Sequence, residues 1–190
     1  MSGRAEKNEK PVILNIGNIS LRKRQIEILE MLTSLNREGY EFEIRFIGAC
    51  GDDGYARCFQ KKIDEVAHLG FARYIGTMNE ADLVNSMDKA DALCHFPSEE
   101  AFGLVVAEAL SRNLKFFGSS TGGVIDITNG VEGAELFDPD DWSSMRGGIS
   151  NWITSGYPHI ASANRIMEGL YHPTVIAMRH IEIYREVLGR

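Results

Sequence analysis

The stretch Ser98-Glu99-Glu100-Ala101-Phe102-Gly103-Leu104-Val105-Val106-Ala107-Glu108-Ala109 sets two carboxylates eight positions apart, with a Phe-Gly-Leu turn between them. Glu100 falls in a loop, where it can meet a ligand. Glu108 falls beside Val105, Val106, Ala109 and Leu110; a carboxylate in such surroundings needs an edge position, a salt bridge, or hydrogen bonds from a ligand. A vicinal diol such as a ribose offers two donors to one carboxylate. Arg22, Lys23 and Arg24 sit at the start of a helical pattern, where the macrodipole already presents positive charge. A solvated basic turn is the plain account of that cluster, but a bound diphosphate would make it sensible, meeting backbone N–H groups and side-chain cations together. Gly122-Gly123, after Ser119-Ser120-Thr121, would let N–H groups approach an anion closely, as a simple tight turn also would.

The remaining chemistry-bearing residues read as structural. Asp52-Asp53, between Gly51 and Gly54, suits a helix cap better than a metal pair. His95 at a strand end suits a hydrogen-bonded structural role better than catalysis. His172 and His180 are not spaced i, i+4 and have no nearby cysteine, so no metal site is expected there. Cys50, Cys58 and Cys94 form neither a C-x-x-C pair nor an even set, which points to reduced thiols and no zinc. Trp142 and Trp152 fit helix packing.

What must position these residues is an alternation of strands and helices. Pro11 opens the strand VILNIG, ending at Gly17; a helix over 22–37 carries Ile26, Leu29, Leu32 and Leu35 at helical spacing and stops at Gly39. A strand over 42–48 follows, then a helix over 53–68, a strand at 74–75, a helix over 79–87, a strand at 92–94, a helix over 103–111 and a strand at 115–117. Three further helices begin near Asp140, Ile160 and Pro173, the last amphipathic, with Ile176, His180 and Tyr184 on one face. This order predicts an α/β fold, a Rossmann-like doubly wound parallel sheet. Ligands of such sheets lie beyond the carboxyl ends of the strands, which selects the loops 17–24, 48–55, 95–103 and 118–126.

Composition narrows the partners. Acidic residues outnumber basic ones by 27 to 20, for a net charge of −7, which argues against nucleic acid. The polar start MSGRAEKNEK lacks the apolar core of a signal peptide, and no apolar run nears the roughly 20 residues of a transmembrane segment. A cytoplasmic protein is expected, with any peripheral membrane contact running through a domain outside this chain.

In order and approximate spacing these segments resemble glycosyltransferase family 4, of the GT-B fold, over nearly the whole chain. The likeness rests on the E-x7-E pair Glu100 and Glu108 with Phe-Gly-Leu inside it, Gly17 with Lys23 six residues on, Phe46-Ile47-Gly48 with Tyr55 after it, Tyr74-Ile75-Gly76, Ala90-Asp91, and Gly122-Gly123 with Asp126. It implies one half of a GT-B fold: the donor domain of a retaining transferase, working without metal or cofactor on a UDP-, GDP- or ADP-linked sugar, as in polysaccharide biosynthesis. Residues 1–10 would be a polar lead or interdomain linker, and 11–190 the donor domain with its C-terminal helix, meeting an acceptor held by a missing N-terminal domain of the same enzyme. The resemblance assigns Lys23 to the diphosphate, Glu100 to the donor sugar, and Glu108 to the ribose hydroxyls, with Lys23 and Glu100 as the catalytic pair. Gly17, Asn18, Arg24, Phe102, Gly103, Leu104, Gly122 and Gly123 would line the donor pocket.

Three departures stand out. Asn18 occupies the position where the family has Arg, leaving Arg22 or Arg24 to replace the missing cation; the loop from Ser98 to Glu100 is one residue tighter; and Asp126 stands where Glu is usual. They leave room for a rival from another class, a non-catalytic nucleotide-binding module derived from the same fold. A sugar-nucleotide epimerase or phosphorylase half would share the sheet but not the linked E-x7-E and Phe-Gly-Leu pattern.

Overall fold

The computed structural model describes residues 8–189. Six strands form one parallel sheet: β1 (Val12–Ile16), β2 (Glu43–Ile47), β3 (Ala72–Gly76), β4 (Ala92–His95), β5 (Lys115–Ser119) and β6 (Ala134–Phe137), in the order β3-β2-β1-β4-β5-β6. The chain winds outward from β1 to β3, returns to β4, and winds outward again to β6. The doubly wound expectation therefore holds, and the direction reverses between β1 and β4, where such sheets open a crevice.

Both sheet faces are covered. Ile13, Ile44, Phe46 and Phe117 pack on one side with Leu29 and Leu32 of α1 (Gln25–Arg37), Phe59 of α2 (Gly54–Val66) and Trp152 of α6 (Trp142–Thr154). Leu14, Leu93 and Phe116 pack on the other with Met87 of α3 (Glu80–Asp88), Val106 of α4 (Leu104–Leu110), Ile127 of α5 (Gly123–Thr128) and Met167 of α7 (Ala163–Tyr171). Burial on both faces explains why β1 reads as a continuous apolar run rather than an alternating one. Trp142 and Trp152 do pack, edge-on to Phe96 and Phe117 at 4.7 and 5.5 Å between centroids.

Three differences from the sequence reading matter. The edge strand β6 was not foreseen. The first helix begins at Gln25, because Leu21–Lys23 forms a separate 3-10 turn and Arg24 turns the chain with φ 55°. Within the expected lead over 1–10, Asn8 donates to Asp91 Oδ2 at 2.8 Å, and its carbonyl accepts from the Tyr157 hydroxyl at 2.8 Å; residues 1–7 of that lead lie outside the described residues. The last helix, α8 (Pro173–Leu188), has no buried residue, and Met178, Ile181, Ile183, Tyr184, Val187 and Leu188 are exposed along it. No helix among the described residues is long and apolar enough to cross a membrane.

Candidate functional site

The site forms because β1 and β4 part before their ends. Their register runs through Ile13↔Ala92 and Leu14↔Leu93; one residue on, the buried side chain of Asn15 donates to the Cys94 carbonyl at 2.8 Å. A side-chain amide thus takes a place that a ladder bond would otherwise fill, and the loops beyond diverge around a crevice.

Those loops are stitched to one another. Gly17 N–H donates to Ile47 O, and Ile19 N–H to Ala49 O, each at 2.8 Å. Ser98 N–H donates to Arg22 O at 2.9 Å, and Arg22 Nη1 to Glu99 O at 2.9 Å. On the far side Ser119 Oγ donates to Pro97 O at 2.8 Å and Gly123 N–H to Ala101 O at 3.1 Å. Gly122, at φ 51°, comes so close that a Cβ there would lie 1.6 Å from Glu100 O. Two of the other loops selected from sequence, 17–24 and 118–126, thereby hold the β4–α4 loop between them, and 48–55 braces the first of these.

At the centre, Lys23 Nζ donates to Glu100 Oε2 at 2.5 Å, and His95 Nε2 lies 3.0 Å from the same oxygen. Lys23 and His95 approach to 3.5 Å. His95 is only 1% exposed, and burial pushes its imidazole below the ordinary value, against the opposing pull of Glu100. A neutral ring satisfies the geometry when Nε2 carries the hydrogen and donates it to Glu100. The Glu100 carboxyl is held down to about 2, first by the bond from His95 and then by Lys23, against the effect of burial. His95 was read from sequence as a structural residue; its place beside Glu100 depends on how the loop curls back over the end of β4, which no spacing rule reports.

Both shifts have the same consequence in acid. An unfolded histidine binds a proton below about pH 6.5, and folded His95 does so only at lower pH, so stability falls as pH drops through 6.5. Glu100 adds stability that is complete above the unfolded value near 4.5 and is lost as pH falls toward about 2. Urea unfolding at pH 7.5 and 5.5 should show a loss in the native chain, at most about 1.4 kcal/mol per pH unit from one proton, and a smaller loss in His95→Gln. Equal slopes for the two proteins would place the titration elsewhere.

The other expected site residues divide. Gly17 sits against Lys23, whose Cε would be 3.8 Å from a Cβ there, and Asn18 is exposed beside it. Gly103, at φ 89°, starts α4 with no side-chain cap, and Gly122 does the same for α5. By contrast Asp53, Asn79 and Asp141 cap α2, α3 and α6. The capping reading of Asp53 therefore holds, and His172 likewise caps α8 through Thr174 N–H. The N–H groups of Leu104 and Val105 meet no acceptor among the described residues, leaving them open toward the crevice side of α4. Phe102 and Leu104 are exposed at its rim, Phe102 edge-on to Tyr171.

Arg24 is not brought to this cluster. Its guanidinium donates to Pro139 O at 2.6 Å and Asp140 at 3.0 Å and lies over Trp142. The start of α1 is not open either, since Tyr55 Oη accepts from Ile26 N–H at 2.9 Å and donates to Glu27 at 2.8 Å. Glu108 is exposed on α4, and its carboxylate makes no hydrogen bond or ion pair with any described residue. Partial burial nevertheless pushes its carboxyl up, with Arg112 opposing and Glu80 adding to the shift. Among the described residues no group of three or more His, Cys, Asp or Glu could hold a metal ion, and all three cysteines are free. A groove of about 490 Å³ between α1 and α2, lined by Leu29, Thr33, Arg37 and Lys62, holds none of these site residues.

The chain is similar to known glycosyltransferases. A sulfoquinovosyl transferase of Arabidopsis thaliana is 31% identical over 136 residues, 70% of this chain and 24% of that protein. Sucrose-phosphate synthase of Thermosynechococcus elongatus superposes with a TM-score of 0.79 at 18% identity, over 95% of this chain and 46% of that one. Anabaena HepE, solved with UDP-glucose, superposes with a TM-score of 0.78 at 20% identity, over 94% of this chain and 49% of that one. The chain thus spans about a quarter of the curated relative and about half of the solved structures, and its sheet is that of a GT-B glycosyltransferase domain. Residues 2–168 match the glycosyl transferases group 1 family, and the chain belongs to it.

Proposed function

We propose that the chain is the donor-binding domain of a retaining glycosyltransferase of family 4, taking a nucleotide-diphosphate sugar at the β1–β4 crevice. The observation that carries this reading is the Lys23–Glu100 pair at the reversal point of the sheet, flanked by the uncapped starts of α4 and α5. Lys23 holds the diphosphate with the open N–H groups of α4, the backbone at Gly103, Leu104, Gly122 and Gly123 closes around it, and Gly17 and Asn18 form the wall behind. Glu100 accepts from the donor sugar, and Glu108 from the ribose hydroxyls. UDP is the first nucleotide to test, since HepE was solved with it.

Retaining transfer builds positive charge at the anomeric carbon while negative charge grows on the departing diphosphate. Lys23 and preoriented N–H groups stabilise that leaving group without a metal ion. The acceptor and its activation belong to a preceding domain of the same polypeptide, and the apolar face of α8 covers part of that domain.

A second reading, a nucleotide-binding module without transfer, has one observation in its favour. Asn18 replaces the family's arginine, and Arg22 and Arg24 are both turned to backbone carbonyls, so Lys23 is the one cation of the basic cluster paired with Glu100 at the crevice.

Calorimetric titration with UDP, GDP and ADP tests the donor site. Binding should persist in excess EDTA. Glu108→Gln and Lys23→Ala should each weaken it by about 1–3 kcal/mol, the cost of leaving a hydrogen-bonding group without its partner. Unchanged affinity would remove either residue from its role, and a strict need for Mg²⁺ or Mn²⁺ would return Asp52 and Asp53 to consideration as ligands.

A further inference from the structure

Glu100 has two donors, Lys23 and His95, and the donor reading sends one of them elsewhere. Lys23 ends a flexible side chain, 14% exposed, and a polyanion arriving at the crevice draws its ammonium away. The carboxylate would then lose a donor just as negative charge arrives beside it. Left alone, it would turn out toward water.

We propose that His95 is a positioning residue that holds Glu100 toward the donor sugar while Lys23 shifts to the diphosphate. The inference rests on the donor-site reading above. His95 is suited to this by its place: it is the last residue of β4, its side chain is 1% exposed, and β5 packs so tightly beside it that a Cβ on Gly118 would lie 2.8 Å from its carbonyl oxygen. The backbone of His95 is therefore fixed, and its buried ring stays inside while Lys23 moves at the surface. Its Nε2 already lies 3.0 Å from the Oε2 that Lys23 shares. Being neutral, the ring adds no positive charge to compete with Lys23 for the phosphates, yet its N–H favours the ionised carboxylate. When Lys23 leaves, the acceptor positions it vacated on Glu100 become available to sugar hydroxyls. The exchange conserves the carboxylate's donors, ammonium out and hydroxyl in, around the fixed bond from His95.

The test compares sugar nucleotides with bare diphosphates. The native chain, His95→Leu and His95→Gln are titrated with UDP, GDP and ADP and with their glucose conjugates. For the nucleotide that binds, His95→Leu should change affinity for the bare diphosphate less than about threefold. It should lower the preference for the sugar conjugate about tenfold, the loss of one charge-assisted hydrogen bond. His95→Gln, which keeps an N–H at the Nε2 position, should recover most of that preference. Equal losses for both ligands, an unchanged preference, or no recovery with glutamine would overturn the proposal. If the native chain binds no diphosphate, the donor-site reading itself falls and takes the inference with it. A second measurement needs no variant: in ¹⁵N-histidine spectra of the native chain, His95 should be the Nε2–H tautomer both before and after UDP is added. A change to Nδ1–H or to imidazolium on binding would likewise overturn it.

Discussion

Replacing Gly122 by alanine should destabilise the protein by about 3 kcal/mol or more and abolish sugar-nucleotide binding, whereas the same change at Gly130 should cost about 1 kcal/mol. Both glycines have positive φ, 51° and 71°, so both substitutions meet the strain of the left-handed region. Only Gly122 adds a collision. A Cβ there would stand 1.6 Å from Glu100 O and 2.8 Å from Glu100 C, while a Cβ on Gly130 would meet nothing within 4 Å. The obstacle at Gly122 is main chain, and that main chain belongs to the loop that presents Glu100. Relief therefore requires the β4–α4 loop to move away from α5, which takes Glu100 off His95 and Lys23. For a chain of this size each kcal/mol corresponds to roughly 2–4 °C in Tm, so thermal melts should separate the two variants by several degrees. Matching melts would mean that the two loops are not in close register.

The same glycine pair shows what a sequence can and cannot declare. Gly122-Gly123 was legible as a place where backbone comes close to something, and the structure supplies the neighbour: Glu100 of the adjoining loop. The alternation of elements was legible because apolar runs and helical periodicity each depend on a few consecutive residues. β6 was not, since Ala134-Glu135-Leu136-Phe137 is short, carries a glutamate, and lies half-buried at a sheet edge. The break at Arg24 was not, because arginine has no preference for φ near 55° and the turn is held by the distant contacts to Pro139 and Asp140. Those contacts also take Arg24 away from Lys23, although the two are adjacent in sequence. The hydrogen-bonded role read for His95 holds, but its partner, Glu100 at 3.0 Å, lies on a loop whose path spacing rules do not report. Residue type and spacing thus identified Lys23 and Glu100 as candidates, whereas their being paired, and by what, is a property of loops crossing from different strands.

The largest effect expected concerns transfer itself. The chain alone should bind a nucleoside diphosphate and transfer no sugar to any acceptor, while a polypeptide that also carries the preceding acceptor domain should transfer it. The site described above is one-sided. Lys23, Glu100, Glu108 and the helix starts of α4 and α5 all belong to the carboxyl edge of one sheet, and the rim beyond them is exposed apolar surface, with Leu104 68% and Leu21 69% exposed. In a two-domain transferase the second wall brings the acceptor hydroxyl into attack distance and excludes water, contributions worth several kcal/mol each to the barrier. Six exposed apolar side chains along α8 are the surface that such a wall would cover, as fits a chain spanning about half of the structures it superposes on. The assay incubates the chain, and the longer polypeptide, with a panel of nucleotide sugars and acceptors and measures both glycosylated product and released nucleotide. Transfer only by the longer polypeptide supports the donor-domain reading. Binding by both with transfer by neither would favour the non-catalytic module, with Asn18 as the first residue to restore to arginine. Robust transfer by these 190 residues would overturn the division of labour altogether, because a single sheet edge would then be positioning donor and acceptor at once.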